Sequence, residues 1–120
     1  MTDGLAEKYL EYGRTEREDL FWAWEEVTNL VLYAPHEAWP FVLQLIGLAP
    51  DESLAYVAAG PLEDFLCEHG DAFLSALRSA AENDARLRQA LCGVWGKNRM
   101  NAIVWDEVQR LCGRKKIGPN

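Results

Sequence analysis

The sequence predicts an all-α fold: a compact single-domain bundle of seven or eight short helices arranged as antiparallel helical hairpins. Three observations carry this expectation. The chain has 120 residues, 49% hydrophobic and 26% charged, enough for one domain with its own core and no metal or disulfide staple. Between frequent Gly and Pro breaks, apolar residues recur at three- and four-residue spacing, the helical period. No Asn-Gly or Asp-Gly pair links two alternating apolar runs, so the strongest short-range hairpin signal is missing. Joints of two to five residues make successive helices antiparallel neighbours. A short curved solenoid is the variant, although no internal repeat supports a true array.

Asp3 caps a first helix bearing Leu5, Tyr9 and Leu10, and Gly13 ends it. Thr15 and Glu18 have capping-box spacing. They open a longer helix with Leu20, Phe21, Trp24, Val27 and Val31 inward, stopped by Pro35. A third helix, from about Trp39 to Leu48, is apolar almost all round through Phe41, Val42, Leu43, Leu45 and Ile46, and is expected at the centre. Pro40 in its first turn fits a helix better than a strand. A fourth helix runs from Asp51 to about Ala59. Gly60-Pro61 breaks it and starts a fifth, with Leu62, Phe65, Leu66 and His69 on one side and Gly70 at the end. Asp71 caps a sixth, with Phe73, Leu74, Leu77 and Ala81 inward. Asn83-Asp84 caps a seventh carrying Leu87 and Leu91, with Val94 beyond. A last helix, from about Asn101 to Leu111, carries Val104, Val108 and Leu111. The domain is thus assigned to residues 1–113 and a frayed basic tail to 114–120.

Charge narrows the function classes. The net charge is −7, which argues against nucleic acid as a partner, because phosphate binding needs clustered Lys and Arg. The distribution is uneven. Residues 1–26 sum to −5, residues 27–77 to −7 and residues 78–120 to +5. The middle 51 residues hold seven acids (Glu37, Asp51, Glu52, Glu63, Asp64, Glu68 and Asp71) and no Lys or Arg. Either the basic C-terminal third folds back over them, or they face water or a cationic partner. No apolar run approaches the ~20 residues of a membrane span, and Met1–Leu5 lacks the basic and apolar regions of a signal peptide. The three cysteines form no CxxC pair and are odd in number. They lie in helical stretches beside apolar residues and read as buried, inert thiols. The expected location is the cytoplasm, with no membrane partner.

Ala38-Trp39, the run Ala58-Ala59-Gly60-Pro61-Leu62-Glu63-Asp64-Phe65-Leu66 through His69-Gly70, and Leu91 to Trp95 form the pattern AW…LI.LAPDE…AAGPLEDFL..HG…RQALCGVW. In these residues the chain resembles a bacterial family of small all-helical proteins of unknown function. The resemblance covers about Trp22 to Trp105. It implies a helical, cytoplasmic bacterial protein and brings no catalytic residues with it.

The best cluster for chemistry is Asp64, Glu68 and His69, with Glu63 alongside. Asp64 and Glu68 are i, i+4 on one helix face, and carboxylates with a histidine suit a divalent metal or acid–base work. The structural account is preferred. First-turn acids answer the helix dipole, Glu63 has the spacing to reach back to an N-cap amide, and His69 shares an apolar stripe. His36 and His69 are the two histidines, and no HExxH, CxxC, EF-hand loop, GxSxG or P-loop is present. No metal and no cofactor is expected. Among the five tryptophans, Trp22 points about 160° away from inward Trp24 and is the candidate interface anchor.

Three functions follow. The favoured one is a non-enzymatic module presenting the acidic surface of Glu37, Asp51, Glu52, Glu63, Asp64, Glu68 and Asp71 to a basic protein, such as a bacterial toxin for which it is the immunity protein. The alternatives are a metal-assisted or acid–base enzyme built on Asp64, Glu68 and His69, and a structural subunit that self-associates through exposed aromatics. The surface potential of the folded chain separates them: convergence of the middle acids favours a partner site, and neutralisation by Arg78, Arg86, Arg88, Lys97 and Arg99 weakens it.

Overall fold

Eight α-helices follow one another in the structure, a computed structural model that describes residues 4–113. They are α1 (Leu5–Thr15), α2 (Phe21–Tyr33), α3 (Pro35–Leu48), α4 (Asp51–Val57), α5 (Glu63–His69), α6 (Leu74–Glu82), α7 (Ala85–Leu91) and α8 (Ala102–Cys112). Short 3-10 turns stand at Glu18–Leu20 and Lys97–Arg99. A π turn, Ala58–Leu62, joins α4 to α5 without a break, so the eight segments form seven rods. No strand occurs among the described residues. The expected cap Asp3 and the basic tail 114–120 lie outside them.

The central place expected for the third helix is its place in the fold. α3 touches α1, α2, α4, α5 and α7, and its Val42, Leu45 and Ile46 are fully buried. In a solenoid each unit meets only its neighbours, so this arrangement is a bundle. Around α3 close Val27 and Val31 of α2, Val57, Leu62, Phe65 and Leu66 of the α4–α5 rod, and Leu87 and Leu91 of α7, while α6 and α8 pack on α7 and on each other and add Leu77, Val104 and Val108, all at 0–1% exposure.

Several helix boundaries differ from those expected, mostly at Gly and Pro. Gly13 does not end α1, which continues to Thr15. A Cβ at Gly13 would run into the Tyr56 ring, so this glycine permits a close helix approach. Thr15 and Glu18 form no capping box: the Thr15 hydroxyl donates back to the Glu11 carbonyl at 2.9 Å. Phe21 and Trp24 lie at the edge of the core, 40% and 39% exposed, and small Ala23 takes the inward position. α3 starts at Pro35 after the single joint residue Ala34, four residues earlier than expected. Asp71 does not cap α6, which begins at Leu74. Its carboxylate takes only the Ala72 N–H. Asp84 and Asn101 do cap α7 and α8, accepting the Leu87 and Ile103 N–H groups at 3.0 and 2.8 Å.

The prolines organise the tertiary contacts. A proline removes the N–H that would bond the carbonyl four residues before it, and a buried carbonyl without a donor is costly. Pro35 thus leaves the Val31 carbonyl without its helical donor, and His69 Nε2 reaches it at 2.8 Å. Pro50 does the same to Ile46, whose carbonyl accepts from Arg86 Nε at 2.8 Å. The Arg86 guanidinium also donates to the Ala49 carbonyl and, at 2.9 Å, to Asp51. Pro61 would orphan Val57. The π turn solves this locally, because its i→i−5 register pairs Val57 with Leu62 and the Glu63 N–H with the Ala58 carbonyl. For this reason Gly60-Pro61 bends the register and does not end the helix. Pro40 sits inside α3 opposite exposed His36, where water can take the missing donor's place.

The cysteines also depart from the reading as inert thiols. Cys92 and Cys112 form a disulfide that ties the end of α7 to the end of α8, leaving Cys67 as the free thiol. Their closeness comes from α7–α8 packing, which a 20-residue separation does not reveal.

Candidate functional site

The acidic middle segment was the candidate surface, and the fold divides it into three places. The first lies on the α4–α5 rod just after the π turn. Glu63 is 9% exposed. One carboxylate oxygen accepts the Trp95 N–H at 3.0 Å and the other faces Arg99 at 3.2 Å. Arg99 also donates to Asp64 at 3.0 Å, and this bond holds the guanidinium pKa above its ordinary value. Glu63 sits in mid-rod with no free helix end to cap, so the expected capping role passes to a tertiary one: it anchors the loop after α7. The glycines of that loop fit the same contact. A Cβ at Gly93 would come within 2.9 Å of the Ala58 Cβ, and one at Gly96 within 3.0 Å of Glu63 Oε2 and 3.1 Å of Cys67 Sγ. Burial pushes the Cys67 thiol up, opposed by Arg99, so this cysteine is kept protonated and is a poor nucleophile.

The second place is the junction of α3 and α4, where Arg86 pairs with Asp51 while Glu52 is exposed and without an ion pair among the described residues. Asp51, Glu63 and Asp64 are therefore clasped by late arginines. Of the other late cations, Arg78 pairs with Glu107 at 3.1 Å and Arg88 donates to the Ala81 and Glu82 carbonyls at the end of α6. Arg110 completes the Glu107 site.

The third place is one end of the molecule, where α2 stops, α3 starts and the α5–α6 turn passes. The His69 bond to Val31 fixes α5 against α2. The His36 and Phe73 rings meet with centroids 5.3 Å apart, fixing the start of α3 against the start of α6. Glu37, Glu68 and Asp71 are next to these anchors in sequence. All three are exposed, and no Lys or Arg pairs with them among the described residues. Tyr33, 78% exposed, is the last residue of α2.

The Asp64, Glu68 and His69 cluster does not assemble. Asp64 turns to Arg99, His69 turns to a backbone carbonyl and Glu68 faces solvent. Among the described residues no group of three or more His, Cys, Asp or Glu side chains is placed to hold a metal ion. A cleft of about 30 Å³ lies between α2 and the π turn, lined by Trp24, Val27, Thr28, Val31, Tyr9, Gly60, Pro61 and Asp64. It has room for little more than a water molecule. Burial, helped by neighbouring Tyr56, holds the Tyr9 phenol well above its ordinary pKa, so Tyr9 stays neutral there. Trp22 is 48% exposed on the outer side of α2, against 39% for Trp24. No described helix is long and apolar enough to cross a membrane.

Sequence reasoning named Arg86 and Arg99 among five late cations that could fold back over the middle acids, and these two reach Asp51, Glu63 and Asp64. The signal was the charge asymmetry, which required either a partner or a folded-back C-terminal third. Part of the answer is the second.

No curated protein and no solved structure shows significant similarity to the chain. The sequence model of a family of unknown function (DUF6869) matches residues 11–116, which takes in every motif residue just placed, and the chain belongs to that family.

Proposed function

We propose that the protein is a non-enzymatic binding module that presents an acidic helical end to a basic protein. One observation carries this reading: Glu37, Glu68 and Asp71, from three different elements, come to one end of the fold, exposed and unpaired by any cation among the described residues. Asp51, Glu63 and Asp64 leave the candidate surface, because each already pairs with an arginine of the same chain, Asp51 with Arg86 and the other two with Arg99. Carboxylates without an internal partner speed the approach of a cationic surface and discriminate against anionic ones. In its sharpest form the partner is a cationic bacterial toxin and this chain its immunity protein. That form rests on Glu37, Glu68 and Asp71 alone. The proposed cytoplasmic location has to accommodate the Cys92–Cys112 disulfide, a bond more at home in an oxidising compartment.

The test is affinity capture by immobilised wild-type protein and by a Glu37→Gln/Glu68→Gln/Asp71→Asn variant, from an extract of the native host at low and high salt. Support is a cationic protein retained at low salt, released at high salt and lost in the variant. Equal retention by both forms, or nothing basic retained, overturns the reading.

A further inference from the structure

Resting on the acidic-end reading, we infer that the outer face of α2 prolongs that end into a docking stripe for an arginine-bearing segment of the partner. Residues 22, 26, 29 and 33 follow at i, i+4, i+7 and i+11, one helix face. Trp22 and Tyr33 are 48% and 78% exposed, and Glu25, Glu26 and Asn29 between them are exposed as well. The opposite stripe, Ala23, Val27 and Val31, is fully buried, so the aromatics are outside because the helix has no inward position left for them. The stripe ends at Tyr33, where the single joint residue Ala34 turns the chain into α3, whose first turn holds Glu37. Neither α2 nor α3 contains a Lys or Arg.

The chemistry of the face selects its occupant. A second copy joined about a two-fold axis would gather Glu25 and Glu26 of both chains in one interface with no cation on the face to offset them. An anionic lipid surface or a nucleic acid meets the same repulsion. A cationic segment meets none. Between the two cations, arginine is favoured: its planar guanidinium stacks on Trp and Tyr while its N–H fork takes a carboxylate, whereas a lysine ammonium is a compact, strongly hydrated charge. Trp22 beside Glu25 and Glu26, three and four residues on along the same helix, offers that pairing of ring and carboxylate, and exposed Tyr33 adds a second ring at the end of the stripe.

The test is calorimetric titration with oligo-arginine and oligo-lysine peptides of equal length, on the wild type and on Trp22→Ala, Tyr33→Ala, Glu26→Gln and the Glu37→Gln/Glu68→Gln/Asp71→Asn variant. Circular dichroism checks that each stays folded, which exposed positions should allow. The wild type is expected to bind the arginine peptide more tightly than the lysine peptide. Each aromatic truncation should lower arginine affinity roughly three-fold and lysine affinity by less, while Glu26→Gln weakens both alike. Equal affinity for the two peptides, unaltered by Trp22→Ala, overturns the arginine inference and leaves the acidic docking reading standing. Binding of neither peptide overturns both. A concentration-dependent dimer abolished by Trp22→Ala in sedimentation would make the stripe a self-interface and also overturn the inference.

Discussion

The bond from His69 to the Val31 carbonyl makes a claim about proline that a double-mutant cycle can decide. Pro35 has no N–H, so the last turns of α2 are completed by a side chain from 38 residues away. His69→Phe keeps a planar ring against Phe65, whose centroid lies 5.3 Å from the imidazole, and removes only the donor. The Val31 residue is 1% exposed, so water has poor access to the stranded carbonyl. A lost partner of that kind costs about 1–3 kcal/mol. For a chain of this size that lowers Tm by about 3–10 °C. Pro35→Ala restores an amide at the position from which Val31 would ordinarily be bonded. In that background His69→Phe should cost less than half as much, a coupling of about 1 kcal/mol. Urea unfolding followed by circular dichroism on the four proteins measures it. Equal cost of His69→Phe with proline and with alanine at position 35 would refute the account, since the histidine would then be acting only by packing.

Three further outcomes follow from the same contacts. The Arg110 bond first, then Arg78, holds the Glu107 carboxyl below the usual glutamate range against opposing burial. Its folded pKa is thus lower than its unfolded value of about 4.3, so the contribution is present above that value and lost as pH falls through the lowered one. Glu107→Gln should lower the urea midpoint at about pH 7, and the gap to wild type should shrink as pH falls below the unfolded value and close below the lowered one; a constant gap would contradict this. Reduction of Cys92–Cys112 opens a closed segment of 20-residue separation. It should destabilise the fold by about 3 kcal/mol, read as a drop in Tm with reductant that the Cys92→Ser/Cys112→Ser variant does not show. Gly96→Ala places a methyl group 3.0 Å from Glu63 Oε2 and 3.1 Å from Cys67 Sγ. It should cost about 1–3 kcal/mol, whereas Gly47→Ala, with nothing within 4 Å, should not destabilise.

The helices were legible where one stripe of residues decides burial and where a side chain caps its own helix. Val104 and Val108 of α8, Leu87 and Leu91 of α7, and the Asp84 and Asn101 caps are local facts, and the sequence states them. Pro35, Pro50 and Pro61 were legible as interruptions only. A local reading sees the missing N–H but not the distant His69, Arg86 or shifted register that compensates it, and so it placed a break at Gly60-Pro61 where the rod continues. Phe21 and Trp24 were placed inward because period counts hydrophobicity and ignores size. With small Ala23 on the stripe facing α1 and α3, the large rings are displaced to the edge, stacked on each other at 5.3 Å. The acidic segment was legible as unpaired along the chain, but pairing is a property of space, and Arg86 and Arg99 return from 35 residues away to Asp51 and Asp64.

That return changes where function should be sought. The run from Ala58 to Gly70 and the loop from Gly93 to Gly96 are the parts of the chain that most look like a motif. Their residues face one another: Gly93 against Ala58, Gly96 against Glu63 and Cys67, the Trp95 amide on Glu63. His69 completes α2, and a Cβ on Gly70 would come 2.7 Å from a Val104 methyl. Pro61 sets the register that holds Glu63 in mid-rod. Each of the residues just named has a task inside the fold, and together they form a latch between the α4–α5 rod and the last third of the chain. A long, specific pattern of this kind identifies a fold without identifying a reaction. Side chains left without an internal task are then the ones with capacity for a partner, and Trp22, Glu26, Tyr33, Glu37, Glu68 and Asp71 are exposed around one end and one face of the bundle. If the latch residues are only architectural, Arg99→Ala should lower stability while leaving oligo-arginine binding unchanged in the folded protein. A loss of affinity with the fold intact would return the binding surface to the Glu63–Asp64 pair.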